Sequence, residues 1–558
     1  MTSGARALAA LPATLQDLVH EAAAVLPDRA EGLRGRGTRH RMLGRFLRDA
    51  ALLEWCGMTV PGIEAGREAA IDHLLSLQSP GGTFRSGDNV DSPPDSAFTV
   101  NDLALTQALQ REPGIDALLS AARRALVHGG VHTPNHRWEI SAALARLSAL
   151  YGWQDCRDRA EQWLAEGVDL QPDGMFSERS ANYAAHVSIP SLLILARELD
   201  RTDLLTAADT ATLVQAKLTS PDGTVETLAS RRQDQVRPFD GGAMLPLFHA
   251  HAVRTGDPLT GRAALRVLPR ADGNAALTLV ALGAEDPRTI GALPLPAAEP
   301  DAENPEIIEL ATSGLAVVDL GTSRTVLHGG TDTQALGRVT SGGASNPTFA
   351  RLSGRQLAVS DLRLSRDFFS LGPLRPAAPV RSGVLSWTLT EQLQAEYFQP
   401  LTGDDLSATG EYGLEHNGRF AAAMAFSRRR TDLISLRTEM TAQLRLDGVD
   451  LRWEVEGPPT ALCLMLALEG IRDEGGDDGE AVLRPIDGQS SATARFRSRD
   501  GGEELLISAR GSLGGAAFYD PGESFTFVGG TDEPHGRTLL IPATSTSPLE
   551  LSLSILRR

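Results

Sequence analysis

Two stretches of this chain carry side chains suited to moving protons on a sugar acid. The first is Pro134-Asn135-His136-Arg137-Trp138-Glu139, at the start of a helix-period segment. The second is Asp173-Gly174-Met175-Phe176-Ser177-Glu178-Arg179-Ser180-Ala181-Asn182-Tyr183-Ala184-Ala185-His186, a D-G turn leading into a helix. Tyr183 and His186 are three apart, which predicts one shared helix face. An amide, an imidazole and a phenol near arginines suit removal of a proton alpha to a carboxylate. In a 4-linked uronic acid the C5 proton is too weakly acidic to leave while the carboxylate is ionised. An amide such as Asn135, or a guanidinium, stabilises the charge that builds on that carboxylate in an enolate-like transition state. His136 or a Tyr183 phenolate then takes the proton, and Tyr183 or a second group protonates the leaving O4. A neighbouring cation would lower the tyrosine from its ordinary pKa of about 10.

Other residues extend this set. Arg137, Arg179 and His186 flank the central three and are expected to touch substrate. Ser230-Arg231-Arg232-Gln233-Asp234 reads as a loop between two helices, with Arg231 and Arg232 as a guanidinium clamp for a uronate. Asp91-Ser92-Pro93-Pro94-Asp95, with Asn101, reads as an acidic loop stiffened by proline. Tyr412 and His416 are weaker candidates from the second half of the chain. Each central residue has a structural alternative. Asn135 suits a helix N-cap, His136 a hydrogen-bonded histidine, and Tyr183 a packed aromatic. His128, His132 and His136 recur every fourth residue, but Gly129-Gly130 and Pro134 interrupt the helix that would align them, so no metal site is expected. The acidic run Asp473–Glu480 lacks the ligand spacing of a calcium loop.

The elements that must position these residues change character near residue 300. Before it, apolar residues recur at helical spacing in about twelve segments. Those around the candidate residues are Val100–Leu109, His136–Tyr151, Tyr183–Leu199 and Gly242–Val253. Twelve helices in antiparallel pairs can close into an α/α toroid whose loops on one face surround a cleft. Ala292–Glu306 is rich in Pro, Ala and acid and reads as a linker. Beyond it the period becomes two, in ten or more strands divided by Gly, Asn and Asp turns, which predicts an antiparallel β-sandwich. The expected organisation is a toroid over 1–291, a linker over 292–306 and a sandwich over 307–558.

Composition narrows the partners. The chain has 558 residues, 71 acids against 53 bases and a formal charge of −18, which argues against nucleic-acid binding. Lys217 is the only lysine, so neither a Schiff-base lysine nor a phosphate-binding P-loop is expected. Cys56, Cys156 and Cys463 lie far apart and suggest neither a disulfide framework nor a zinc site. The first 25 residues read as an amphipathic helix with no export signal, and no membrane-spanning apolar run occurs, so a cytoplasmic location is expected.

The order of toroid then sandwich, with an Asn-His pair and a tyrosine roughly fifty residues on, resembles the heparinase II/III-like and oligoalginate polysaccharide lyases. The run D-G-x-F-x-E-R-S-x-x-Y, ending at Tyr183, resembles the segment that carries their catalytic tyrosine. The resemblance implies that Asn135 neutralises the carboxylate, His136 is a base or positioning group, and Tyr183 is acid and base. Many of those lyases also carry an H-x-H-x-D-x-x-S-F run that binds a structural zinc. The nearest text here, Gly342–Phe349, has neither histidine, so the chain reads as a divergent branch without zinc. The expected activity is β-elimination on an acidic polysaccharide or oligosaccharide, without a cofactor. Two alternatives stay open. One is a toroidal hydrolase drawing a carboxylate pair from Asp91, Asp95, Glu139, Glu178 and Asp234. The other is a non-catalytic protein that binds acidic glycans.

Overall fold

The computed structural model describes residues 2–33, 35, 37–333, 343–417, 421–472, 481–485, 490–522, 534 and 536–558. The acidic run Asp473–Glu480 and residue Gly342 lie outside them. The chain forms two compact units. The first joins Met1–Glu226 to Pro238–Ala298, and the second joins Thr227–Arg237 to Glu299–Arg558.

In the first unit the helices divide into an inner set, whose members pack on one another, and an outer set. Pro134–Tyr151 buries nearly every residue from Asn135 to Leu147, whereas its neighbour Gln154–Leu164 buries only Cys156, Ala160 and Leu164. In that pair the helix covered nearly all round is inner and the one with a single apolar stripe is outer, whereas the inner Ile189–Glu198 buries four residues and the outer Pro258–Val267 seven. The inner set is His40–Trp55, Pro93–Leu109, Pro134–Tyr151, Ile189–Glu198, Leu245–Thr255 and Gly273–Glu285. The first four pack in succession, Leu245–Thr255 packs on Gly273–Glu285, and Gly273–Glu285 packs back on His40–Trp55. This is an α/α toroid. Each of the first five inner helices is followed by an outer one that returns, so the N-termini of the inner helices gather on one face.

Three of the connections into inner helices are built alike. Isolated β-bridges join Gln78 to Phe84, Leu170 to Phe176 and Thr219 to Val225, each around a Pro-x-Gly turn. In the middle one Gly174 has φ +85°, and a Cβ there would lie 2.6 Å from the Val214 side chain, so only glycine makes the turn without strain. The Asp91–Asp95 stretch, expected as a loop, is the start of a helix. Ser92 caps Pro93–Leu109 by accepting from the Asp95 N–H, because proline is tolerated in a first turn where no N–H is required. A short helix, Ser3–Ala10, precedes the others.

In the second unit a seven-stranded sheet and an eight-stranded sheet, counted among the described residues, enclose one core. The first runs in spatial order Ser491–Arg497, Glu503–Arg510, Leu549–Arg557, Gly448–Glu456, Thr431–Arg445, Ser386–Phe398, Val380–Gly383. The second begins with the short strand Ala481–Val482, which pairs parallel to Arg537–Thr544, while every other described ladder in it is antiparallel. Trp387 and Trp453 fill the space between the sheets together with leucines from both. The fold is thus a helical toroid followed by a β-sandwich.

The Pro-rich stretch expected as a linker is fastened near its middle to the helical unit. Ala297 N–H donates to the Pro258 carbonyl at 2.8 Å, and Arg262 donates to the Ala298 carbonyl at 2.6 Å. Its last residue, Glu306, already belongs to the strand Glu306–Leu310. No helix among the described residues is long and apolar enough to cross a membrane. The three cysteines are buried.

Candidate active site

Asn135 is the second residue of the inner helix Pro134–Tyr151, and the cap position is Thr133, so its amide does not act as the N-cap. The side chain instead turns to the following hairpin segment. Its Nδ2 donates to both oxygens of Glu178 at 2.9 Å, and both residues are buried, at 1% and 7% exposure. One contact therefore joins the Asn-His helix start to the segment that carries Tyr183. Trp138 adds a second tie, its Nε1 donating to Asp169 at 3.0 Å, and Asp169 also accepts from the Ser177 hydroxyl.

Tyr183 ends a single turn, Ala181–Tyr183, that Ser180 caps by accepting from the Tyr183 N–H. The next five residues, Ala184–Ser188, form a π-helical turn closed by the Ile189 N–H on the Ala184 carbonyl. Pro190 explains it. A regular helix would need an N–H there to reach the His186 carbonyl, and the ring would press on that same carbonyl, so the turn widens. Tyr183 and His186 thus do not share a regular helix face. Tyr183 is half-buried, and His186 is exposed to solvent while protein crowds its other sides. That crowding, together with the charge of Arg45, lowers the imidazole pKa below its ordinary value, against an opposing pull from Asp272. The His186 ring meets Phe239 edge-on at 6.2 Å.

His136 is half-buried, and its ring is edge-on to His132 at 4.6 Å and to Phe98 at 6.2 Å. Phe98 in turn carries the Arg41 guanidinium 3.9 Å above its face, and Arg41 pairs with Asp95. One turn below Asn135, Glu139 is buried between Asn101, which donates at 2.7 Å, and Ser191, which donates at 3.2 Å. Burial pushes its carboxyl up to about 7 despite those two bonds.

His132 was set aside in the sequence because Pro134 breaks the helix, yet the extended entry to that proline folds its ring onto His136. The i, i+4 spacing was the available signal. Phe98 and Arg41 lie on two other inner helices, and no sequence pattern links them to His136.

Several expected substrate contacts are instead internal. Arg137 is buried and donates to Glu166 at 2.8 Å and to the Gly167 carbonyl at 3.0 Å, so it holds its helix to the adjacent loop. Arg179 is buried with φ +52° and donates to Gln171 at 3.3 Å, serving the hairpin. Arg231 belongs to the second unit, where it forms a bidentate pair with Asp332 at 2.9 and 2.8 Å. Arg232 is beside it in the same unit, half-buried. The loop stays there because Gln235 accepts from the N–H groups of Ser345 and Asn346 and donates to the Gly343 carbonyl. Tyr412 and His416 are also in the second unit, the former with its hydroxyl accepting from the Ser407 N–H and the latter on the short strand Glu415–His416. Within the toroid the structure joins Asn135 to Glu178, and so ties the helix start that carries His136 to the segment that leads to Tyr183 and His186. Among the described residues no cluster of three or more His, Cys, Asp or Glu side chains suits a metal ion.

No family model and no curated protein matches the chain. Among solved structures, a variant of the chondroitin AC lyase of Streptomyces coelicolor A3 aligns with TM-score 0.53 and 14% identity, over 96% of this chain and 79% of the other. A xanthan lyase from Paenibacillus aligns with TM-score 0.53 and 10% identity, over 97% of this chain and 57% of the other. In fold, then, the chain is similar to the toroid-plus-sandwich polysaccharide lyases, at a sequence distance that makes it divergent from them.

Proposed function

We propose that the protein is a polysaccharide lyase that cleaves a uronic-acid-containing glycan by β-elimination. One observation carries the reading: the bond from Asn135 to Glu178 pins the Asn-His helix start to the tyrosine segment. In this reading His136 and Tyr183 divide the proton transfers. One takes the proton from C5 and the other gives one to O4, and the electron pair left at C5 forms the C4–C5 double bond as the bond from C4 to O4 breaks. Asn135 polarises the uronate carboxylate. Because Glu178 already accepts from its amide, the substrate carboxylate competes with Glu178 for those hydrogens, and the enolate-like state, with more charge, competes best. The substrate is an acidic polysaccharide or its oligosaccharides, and His186 is a further contact.

An absorbance screen against a panel of acidic polysaccharides tests the proposal. Elimination generates an unsaturated, ultraviolet-absorbing uronate at each new non-reducing end. New reducing ends without that absorbance would mean hydrolysis and would overturn the reading. Neither signal on any acidic glycan would leave only a binding protein.

A further inference from the structure

The face that carries the inner-helix N-termini also holds a cavity of about 630 Å³ at the seam where the last inner helix returns to the first. Its walls come from Ala13–Gly32, from the first two turns of His40–Trp55 and from the start of Gly273–Glu285. Small residues close the seam beneath it, since a Cβ on Gly273 would lie 2.8 Å from that of Ala22. The volume falls in the range of about 300–1,000 Å³ usual for small-ligand clefts. Val25 and Met42 stand exposed in its wall, at 50% and 53%, and supply an apolar surface.

Four charged residues line this cavity, Glu21 and Asp272 against Arg29 and Arg45, and Arg45 differs from the other arginines around it. Its neighbours on the same helix are all committed: Arg41 pairs with Asp95 and Asp88, and Arg48 with Asp49 and Asp102. Arg29, also in the wall, pairs with Asp49. Arg45 is exposed, lines the cavity, and its guanidinium makes no hydrogen bond or ion pair among the described residues. Two residues of the cavity wall, Arg45 and Asp272, act on the His186 imidazole in opposite senses, the first lowering and the second raising its pKa. A second cavity in the same unit, of about 430 Å³, offers no such group, because its arginines, Arg197, Arg201, Arg254 and Arg288, each meet a carboxylate.

We propose that the seam cavity is a binding subsite for an acidic sugar unit beyond the one held at Asn135 and Tyr183. Arg45 meets its anionic group, and Met42 and Val25 cover its apolar face. Arg45 forms a two-pronged contact suited to either a carboxylate or a sulfate ester. The subsite rests on the lyase reading only for what occupies the neighbouring position. It makes chain length a determinant of specificity, since only an oligosaccharide that spans both positions gains the contact.

The test compares wild type with Arg45→Gln, and with Met42→Glu, which puts a negative charge in the same wall. For a uronate hexasaccharide against a trisaccharide, the ratio of kcat/KM values should fall about ten-fold or more in both variants, the worth of one charge-assisted contact. A ratio that stays the same overturns the subsite. Running the series on unsulfated and on sulfated oligosaccharides decides which anion Arg45 meets. If no glycan is turned over, calorimetric binding of the same hexasaccharides gives the readout. Binding that weakens in both variants, with no change toward a neutral hexasaccharide, keeps the subsite while the lyase reading falls. Equal binding by all three proteins, or none by wild type, removes the subsite.

Discussion

At the scale of single residues, Glu178 has a double role, because a buried carboxylate with two contacts to one amide is both a structural pin and a competitor for the substrate. Replacing it tests each part. Glu178→Ala leaves the Asn135 amide buried without its acceptor, a cost of about 1–3 kcal/mol that urea unfolding would read. Glu178→Gln keeps the volume and removes the charge, so it should cost less stability while changing how tightly a uronate binds. Equal stability losses in the two variants would show that the charge, not the missing bond, is what matters. Tyr183→Phe is the sharper test of chemistry. The residue is half-buried and its backbone is held by the Ser180 cap, so folding and glycan binding should persist. Turnover should drop by about 10²–10⁴, the usual worth of one positioned proton transfer. A variant with wild-type kcat would take the phenol out of the mechanism. In the sandwich, Arg363 is another residue whose context sets its worth. It is fully buried beside Asp361 at 3.2 Å and donates to the Tyr519 hydroxyl at 2.6 Å. Arg363→Met strands that carboxylate and should cost about 3–5 kcal/mol, against little for a surface pair.

At the scale of elements, the π-helical turn Ala184–Ser188 is the feature that separates Tyr183 from the regular helix behind it. Pro190 is its cause, so Pro190→Ala should let the N–H of residue 190 reach the His186 carbonyl and restore an α-helical path. Proline inside a helix costs up to about 3 kcal/mol, so the variant should gain stability while its turnover falls, because the phenol and imidazole rotate. A less stable protein with unchanged activity would refute this account of the turn. Much of the architecture at this scale was readable in advance. The 3.6-residue apolar period marked the inner helices, and its change to two marked the sandwich, because burial on one face imposes those periods on any chain. The motif Asp173–Tyr183 was readable too, since its turn glycine and its polar residues serve local geometry. What stayed hidden was the pairing of the arginines. Arg137 finds Glu166 and Arg231 finds Asp332, 29 and 101 positions away, and no local pattern records which carboxylate a long side chain will meet after folding. That is why arginines expected to bind substrate turned out to be internal ties, while Arg45, on an ordinary helix stretch, remains open.

At the scale of the whole molecule, the response to acid follows from two buried groups in the toroid that titrate in opposite senses. Burial raises Glu139 from its ordinary 4.5 to about 7. Burial, and then the charge of Arg41, lowers His40 from 6.5 to about 4, where its Nδ1 shares a hydrogen bond with the Thr99 hydroxyl at 2.7 Å. Between pH 4.5 and 6.5 the folded protein holds a proton on Glu139 and none on His40. The unfolded chain does the reverse, losing the glutamate proton and gaining one on the histidine. The two states then carry the same number of protons at this pair, and the pair adds no slope to stability in that window. Each single variant exposes the slope of the other group. In Glu139→Gln only His40 remains, the unfolded state binds more protons, and stability should rise by about 3 kcal/mol relative to wild type as pH goes from 4.5 to 6.5. In His40→Gln only Glu139 remains, the folded state binds more protons, and stability should fall by about the same amount over the same window. Taking each variant's difference from wild type cancels the other carboxylates that titrate there. Urea unfolding of the three proteins at the two ends of the window measures both slopes. Opposite signs support the compensating pair, and slopes of the same sign, or none, would show that the toroid buries these groups without shifting them.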